Sequence, residues 1–307
     1  MIKRTIHIGS PCKLSLRLEQ LHIQYSHIKG QEDMPDRTVP ITDIGVLVLE
    51  HDQITLTHPL LAKLAEQNVA LICCNERRMP AGMLLTLSGH SLQAERFRAQ
   101  IDASEPLRKQ LWKQTVAAKI LNQARVLEYY GADSGPLPAL ATDLKSGDKD
   151  NAEATAAAHY WRNLFPPAIN FYRKRDGEPP NQLLNYGYAV LRAIVARCLA
   201  GSGLLPTLGI FHRNRYNDFP LADDIMEPYR PFVDFIVRQL IAEGKDYREL
   251  NTENRNRLLN IAAVDVRINK ETSPLFVAVQ RTTASLAQCF TGEAKKILYP
   301  EFSYTAK

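Results

Sequence analysis

Residues 208–231 read Leu-Gly-Ile-Phe-His212-Arg213-Asn-Arg215-Tyr-Asn-Asp218-Phe-Pro220-Leu-Ala-Asp223-Asp224-Ile-Met-Glu227-Pro228-Tyr-Arg230-Pro231. A histidine at an apolar-to-polar junction is followed by a basic loop and then by a helix start dense in carboxylates. Asp218 or Phe219 can end the loop, and Pro220 suits the first helical position, where its missing N–H costs nothing. On that helix Asp224 and Glu227 stand three apart and share a face. Pro228 disfavours the α conformation at Glu227 and removes a donor, so a kink or restart is expected there. An imidazole brought together with carboxylates suits a divalent metal that activates phosphate oxygens. The plainer alternative is a solvated acidic helix N-terminus, favoured by the macrodipole, beside an ordinary histidine.

A second carboxylate of interest is Glu153, in Asp150-Asn151-Ala152-Glu153-Ala-Thr-Ala-Ala-Ala-His159-Tyr160-Trp161. Asp150 or Asn151 can cap this helix. The alanines let another backbone or a substrate approach closely. His159, six residues on, points away from Glu153 and makes a poor co-ligand. Glu153 also reads simply as a helix-start carboxylate. In the next long helix Asn185 and Tyr186 are candidates for contacting a nucleic acid, or else pack inside with a satisfied hydrogen bond. Arg213, Arg215 and Arg230 flank the proposed site and would neutralise phosphates, making binding salt-dependent.

Positioning these groups falls to two kinds of element. Through about residue 76 the chain reads as mostly strand: residues 5–8, 13–17 and 21–24 alternate with period two, 44–49 and 69–74 read as buried strands and 53–56 as a short one, with one helix at 60–67. Residues 75–90 read as a crossing segment. From residue 91 helical spacing dominates: 92–103, 107–130, a short helix at 139–144, then helices at 181–200, 232–243 and 274–290, while 248–259 carries Arg255 and Arg257. A short strand is expected at 261–268, and the polar end from 293 reads as loose. The 307 residues, 45% hydrophobic and 23% charged, are ordinary for a globular protein of two domains. The longest apolar stretch, residues 189–211, is interrupted by Arg192 and Arg197, so no membrane span is expected, and no signal peptide is visible. A cytoplasmic location follows by default. Five cysteines without metal spacing read as reduced thiols. A net charge of +5 permits nucleic-acid binding without demanding it.

Taken together, Glu153-Ala-Thr-Ala-Ala-Ala-His-Tyr160-Trp161, Asn181-x-x-Leu-Asn185-Tyr-Gly-Tyr188, and Gly203-Leu-Leu-Pro206-x-x-Gly209-Ile-Phe-His212 with Asp224-Ile-Met-Glu227 resemble the CRISPR adaptation integrases. These are the larger of the two universal CRISPR-associated proteins that insert new spacers. The opening Ser10-Pro-Cys-Lys-Leu-Ser-Leu is similar to the branch that accompanies single-protein RNA-guided effectors. The resemblance implies an α+β chain: a small β-rich dimerisation domain with its connecting segment (residues 1–88), then a larger, nearly all-α catalytic domain (89–307). It implies one Mg²⁺ or Mn²⁺ bound by Glu153, His212 and Glu227, with Asp224 supporting them from behind. The implied reaction is attack of a DNA 3′-OH on a phosphodiester, with cleavage or resolution of branched DNA as a side capability. The implied partners are double-stranded and branched DNA, a second copy of the chain, and a small adaptation protein completing a larger hetero-oligomer. Two other functions stay open: a DNA-binding scaffold without turnover, and a repair nuclease acting on branched DNA.

Overall fold

The computed structural model describes residues 4–26, 34–76, 78–212 and 214–303, and the chain divides into two compact units, Met1–Gly89 and His90–Lys307. In the first unit the strands are β1 (Arg4–Ile8), β2 (Cys12–Arg17), β3 (Gln20–Tyr25), β4 (Arg37–Pro40), β5 (Ile44–Leu49) and β6 (Ile54–Leu56). Helix α1 (His58–Glu66), β7 (Ala70–Cys74) and β8 (Pro80–Leu84) follow. One sheet has the order β1-β5-β7-β8 and the other β4-β3-β2-β6. β5 is buried at every residue, as a central strand paired in parallel on both sides must be. Leu14 and Leu21 from the second sheet, Leu47 from the first, and Leu60 and Leu64 from α1 form the shared core. The β2–β3 turn places Leu18 and Glu19 at φ 47° and 59°, the left-handed pair whose twist matches a tight hairpin. Within the segment expected to cross between units, Pro80–Leu84 instead forms β8, antiparallel to β7. Proline is tolerated there because it is the first residue of an edge strand.

The second unit is mainly helical. It contains α2 (Gln93–Ile101), α3 (Glu105–Tyr129), α4 (Leu137–Thr142), α5 (Ala152–Leu164), α6 (Asn181–Gly201) and α7 (Pro220–Met226). A 3-10 turn (Glu227–Tyr229) leads into α8 (Arg230–Ala242), then come α9 (Thr252–Leu259), β9 (Asp265–Ile268), β10 (Glu271–Pro274) and α10 (Leu275–Thr291). β9 and β10 pair as an antiparallel hairpin, so "mainly helical" describes this unit better than nearly all-α.

α3 and α6 run through its core. α3 buries Leu111, Trp112, Val116 and Ile120, and with them the polar Lys119, Asn122 and Gln123. α6 is long and apolar enough to cross a membrane by length and composition, but 78% of that stretch is buried inside the fold, as in a core helix. Its Gly187 lies against α8: a Cβ there would meet Val233 Cγ1 at 2.4 Å. The chain end, expected to be loose, is anchored as far as Phe302. Asn122 donates to the carbonyls of Pro228 and Pro300 and accepts from the Phe302 N–H, while Ile297 and Phe302 are buried.

Candidate active site

Three elements of the helical unit present the carboxylates and the imidazole. α5 presents Glu153 in its first turn. Of the two expected caps, Asn151 has a left-handed backbone (φ 55°) and makes no side-chain cap, and Asp150 pairs with Lys145. The capping group is Asp148, whose carboxylate accepts from the N–H groups of Ala152 (2.8 Å) and Glu153 (3.1 Å). Glu227 opens the 3-10 turn that Pro228 imposes between α7 and α8, and it is buried. His212 lies within the irregular segment that joins α6 to α7.

That segment is shaped around Asp224 of α7, whose side chain is fully buried. Its Oδ2 accepts from the N–H groups of Ile210 (2.7 Å) and Phe211 (3.0 Å), and its Oδ1 from that of His212 (3.2 Å). The His212 ring nitrogen Nδ1 lies 2.5 Å from the same Oδ1. An ionised carboxylate can only accept, so Nδ1 carries a proton, and in the neutral ring Nε2 then holds the lone pair. This hydrogen bond, donated to Asp224, raises the His212 pKa above its ordinary value, against the opposing effect of burial. Gly209 makes the wrap possible: a Cβ there would stand 2.5 Å from the His212 carbonyl and 2.9 Å from Asp224 Oδ2. Trp112 of α3 stacks on Phe211 (centroids 4.2 Å apart, planes within 2°) and meets the His212 ring edge-on. Asp223 faces elsewhere, accepting from Arg192 Nε (2.6 Å) and Asn217 Nδ2 (2.8 Å).

The two glutamates converge on a residue that local pattern did not single out. Lys119 of α3 places its ammonium 2.6 Å from Glu153 Oε1 and 2.6 Å from Glu227 Oε2. Arg230 Nε lies 3.0 Å from Glu227 Oε1. Burial alone would push the Glu227 carboxyl up, but Arg230 and Lys119 outweigh it and hold the group below its usual value. Burial likewise works to lower the Lys119 pKa, and Glu227 with Glu153 reverses it, so the amine stays charged. Glu227 Oε2 is buried against the Lys119 ammonium.

Glu153, Glu227, Lys119 and Arg230 thus form one charge cluster, and His212 with Asp224 another. His212 feels the charge of Glu227, which links the two. Among the described residues no three His, Cys, Asp or Glu side chains stand ready-made around a metal position. The donors nonetheless fit a hard divalent cation in kind: two carboxylates meeting at one cation, beside an oriented imidazole.

The other sequence candidates divide. Tyr186 is completely buried on the core face of α6 and is not presented to a nucleic acid. The Asn185 amide is engaged, accepting from Arg173 Nη2 (2.8 Å) and donating to the Arg175 carbonyl (2.6 Å), so it fixes a basic loop from beneath. His159 bonds the Asp133 carbonyl, away from Glu153. Arg230 belongs to the cluster itself, its guanidinium also lying 4.8 Å from the Tyr188 ring centroid. Arg215 is exposed and stacks over Tyr216. Arg213 lies outside the described residues. A cleft of about 440 Å³ opens beside His212, lined in part by Gln100, Leu208, Asn214, Arg215 and Asn217.

Comparison with known proteins accords with this frame. The family described as CRISPR associated protein Cas1 matches residues 7–264. The CRISPR-associated endonuclease Cas1 of Neisseria meningitidis serogroup C (strain 8013) is 38% identical over 304 residues, covering 98% of this chain and 97% of that one. A Pyrobaculum aerophilum relative, CRISPR-associated endonuclease Cas1 2, is 28% identical over 85% of this chain and 92% of its own length. Among solved structures, a casposase bound to integration product shares the fold with a TM-score of 0.79 at 20% identity, over 97% of this chain and 92% of the other. A Cas1 protein from Thermotoga maritima does so with a TM-score of 0.71 at 16% identity, over 94% of this chain and 97% of its own. By the extent of the family match and of the Neisseria alignment, the chain belongs to the Cas1 family of CRISPR-associated proteins.

Proposed function

We propose that this protein is a metal-dependent DNA integrase and endonuclease that inserts new spacers into a CRISPR array and can also cleave or resolve branched DNA. The observation that carries the reading is the convergence of Glu153 and Glu227 on a single cation, next to an imidazole whose outer nitrogen is left as an acceptor by Asp224. Glu153, Glu227 and His212 would hold one Mg²⁺ or Mn²⁺. Such an ion supplies polarisation of a phosphoryl oxygen and charge neutralisation at the attacked phosphorus.

The chain's own residues do the rest. Asp224 fixes the His212 ring by accepting the Nδ1 proton, the orientation a carboxylate gives a metal-type imidazole. Arg230 and Lys119 keep the Glu227 carboxylate ionised despite burial. The cleft beside His212, with Arg215 on its wall, would admit the anionic strand. The nucleophile is the 3′-OH of the incoming DNA, so no side chain is acylated or phosphorylated.

The names of relatives support the reaction class: several are endonucleases, and the structurally similar casposase is bound to an integration product. A similar chain occurs in a Cas6-RT-Cas1–Cas2 complex, which supports a Cas2-type small partner here. Pairing of two copies through the β-rich unit completes the proposed assembly.

The test is strand transfer on a branched DNA with Mg²⁺ or Mn²⁺. Wild type is expected to rejoin the branch only with metal, while Glu153→Ala, His212→Ala and Glu227→Ala fold, bind DNA and fail to react. Tight binding without reaction in wild type, or normal reaction in the variants, would replace the enzyme with a DNA-binding scaffold.

A further inference from the structure

The proposed metal position already contains a cation. Lys119 Nζ lies 2.6 Å from an oxygen of each glutamate, and it ties together α3, α5 and the turn after α7. A small divalent cation takes its oxygens at about 2.0–2.1 Å. The two carboxylates therefore stand only about half an ångström further out than a metal would draw them. A buried lysine is rare unless paired, and this one is paired to two acids on separate elements. Without it, two carboxylates would face one another across a poorly solvated gap, with Arg230 neutralising only one of them.

We infer that Lys119 is a resident place-holder: its ammonium occupies the position between Glu153 and Glu227 in the metal-free protein and must leave for a divalent cation to enter. This rests on the metal reading given above and extends it. The ammonium keeps the acids converged, and it also competes with the metal. The long flexible stem of lysine allows the withdrawal; the rigid fork of an arginine would not serve. A site that is free only part of the time binds with an affinity reduced by that fraction.

A merely structural ion pair and a place-holder predict opposite signs. If Lys119 only braces the acids, replacing it with a neutral side chain of similar length loosens them and weakens metal binding. If it competes, the same change strengthens binding. The experiment is Mn²⁺ titration of DNA-free protein, followed by calorimetry and by the electron paramagnetic resonance signal of free Mn²⁺, for wild type, Lys119→Met and Glu227→Gln. The expected result is Mn²⁺ binding that Glu227→Gln abolishes and that Lys119→Met tightens roughly tenfold or more. Equal or weaker binding in a folded Lys119→Met overturns the place-holder and leaves the metal site standing. If neither wild type nor Lys119→Met binds Mn²⁺ in a Glu227-dependent way, the metal reading falls and this inference falls with it.

Should Lys119→Met not fold, the wild type decides by itself. Reductive methylation of its lysines, read by peptide mass spectrometry, is expected to modify Lys119 several-fold faster with saturating Mn²⁺ than without. An unchanged rate while Mn²⁺ is bound overturns the proposal.

Discussion

Asp224→Asn changes one atom at the centre of the site and removes its charge. The carboxylate accepts three backbone N–H bonds and lies against the His212 ring, and none of it reaches solvent. Asparagine retains a single acceptor oxygen. If that oxygen takes the place of Oδ2, it keeps the Ile210 and Phe211 bonds, now without the charge. The NH₂ group then faces the His212 N–H, donor against donor. Bonds to a charged acceptor are worth about 1.5–3 kcal/mol each, and one is lost outright while two are weakened. The sum is about 3–5 kcal/mol, the range for breaking a buried charged pair. In a unit of this size each kcal/mol shifts Tm by about 2–4 °C, so a loss of roughly 10 °C is expected by calorimetry. The ring responds as well: facing an NH₂ group, Nδ1 becomes the acceptor and the proton moves to Nε2. Nitrogen-15 NMR of the histidine ring would show this tautomer exchange, and strand transfer should fall roughly 10–100-fold, as when the outer partner of a metal-binding histidine is removed. A variant with unchanged Tm and the wild-type tautomer would refute the argument that Asp224 builds the segment and orients its histidine.

Gly187→Ala should destabilise the helical unit by about 1–3 kcal/mol despite the better helix former, because its Cβ would press on Val233; adding Val233→Ala should recover most of the loss in urea unfolding. Asp148→Ala removes both cap bonds from α5 and should cost about 1 kcal/mol, with faster amide exchange at Ala152 and Glu153, while Asp148→Asn should cost less. Burial raises the Asp234 carboxyl to about 7, against hydrogen bonds donated by Tyr188 and Tyr160. Because its folded value exceeds the unfolded one, the stability this group contributes is complete below about pH 4 and is lost as pH rises through 7. Wild type should therefore lose a few kcal/mol relative to Asp234→Asn between pH 5 and pH 8; a constant gap in denaturant unfolding would show that the carboxyl titrates normally.

The elements were legible wherever one face of the chain is buried regularly. The outer strands of the first unit follow from alternation, the buried β5 and β7 from unbroken apolar runs, and α5 through α8 from three- and four-residue spacing with Pro220 and Pro228 as punctuation. What local pattern missed has a common cause: polar groups satisfied at a distance. Pro80–Leu84 carries turn-type residues and little apolar signal, yet β7 supplies its ladder. The end of the chain is polar in composition, yet its backbone is held by one α3 amide, Asn122, about 180 residues away. Asp148 caps α5 from outside the usual position because Asn151 turns left-handed. Tyr186 did carry a readable signal, since it stands three residues after Leu183 and four before Val190 on the apolar side of α6.

Lys119 is the instructive case. It lies three residues after Val116 on the face of α3 that also buries Trp112, where a lysine contradicts the helical pattern. The same face then continues to the polar Asn122 and Gln123. Read as periodicity, Lys119 is noise in an apolar stripe. Read as electrostatics, a cation almost shut off from water must have acids waiting for it, and α3 carries none within a turn of Lys119, so they come from other elements. Glu153 and Glu227 are those acids, 34 and 108 positions further on. A charge on the wrong face of a core helix is thus evidence of a site before any partner is known, and here it points to the place where the glutamates meet.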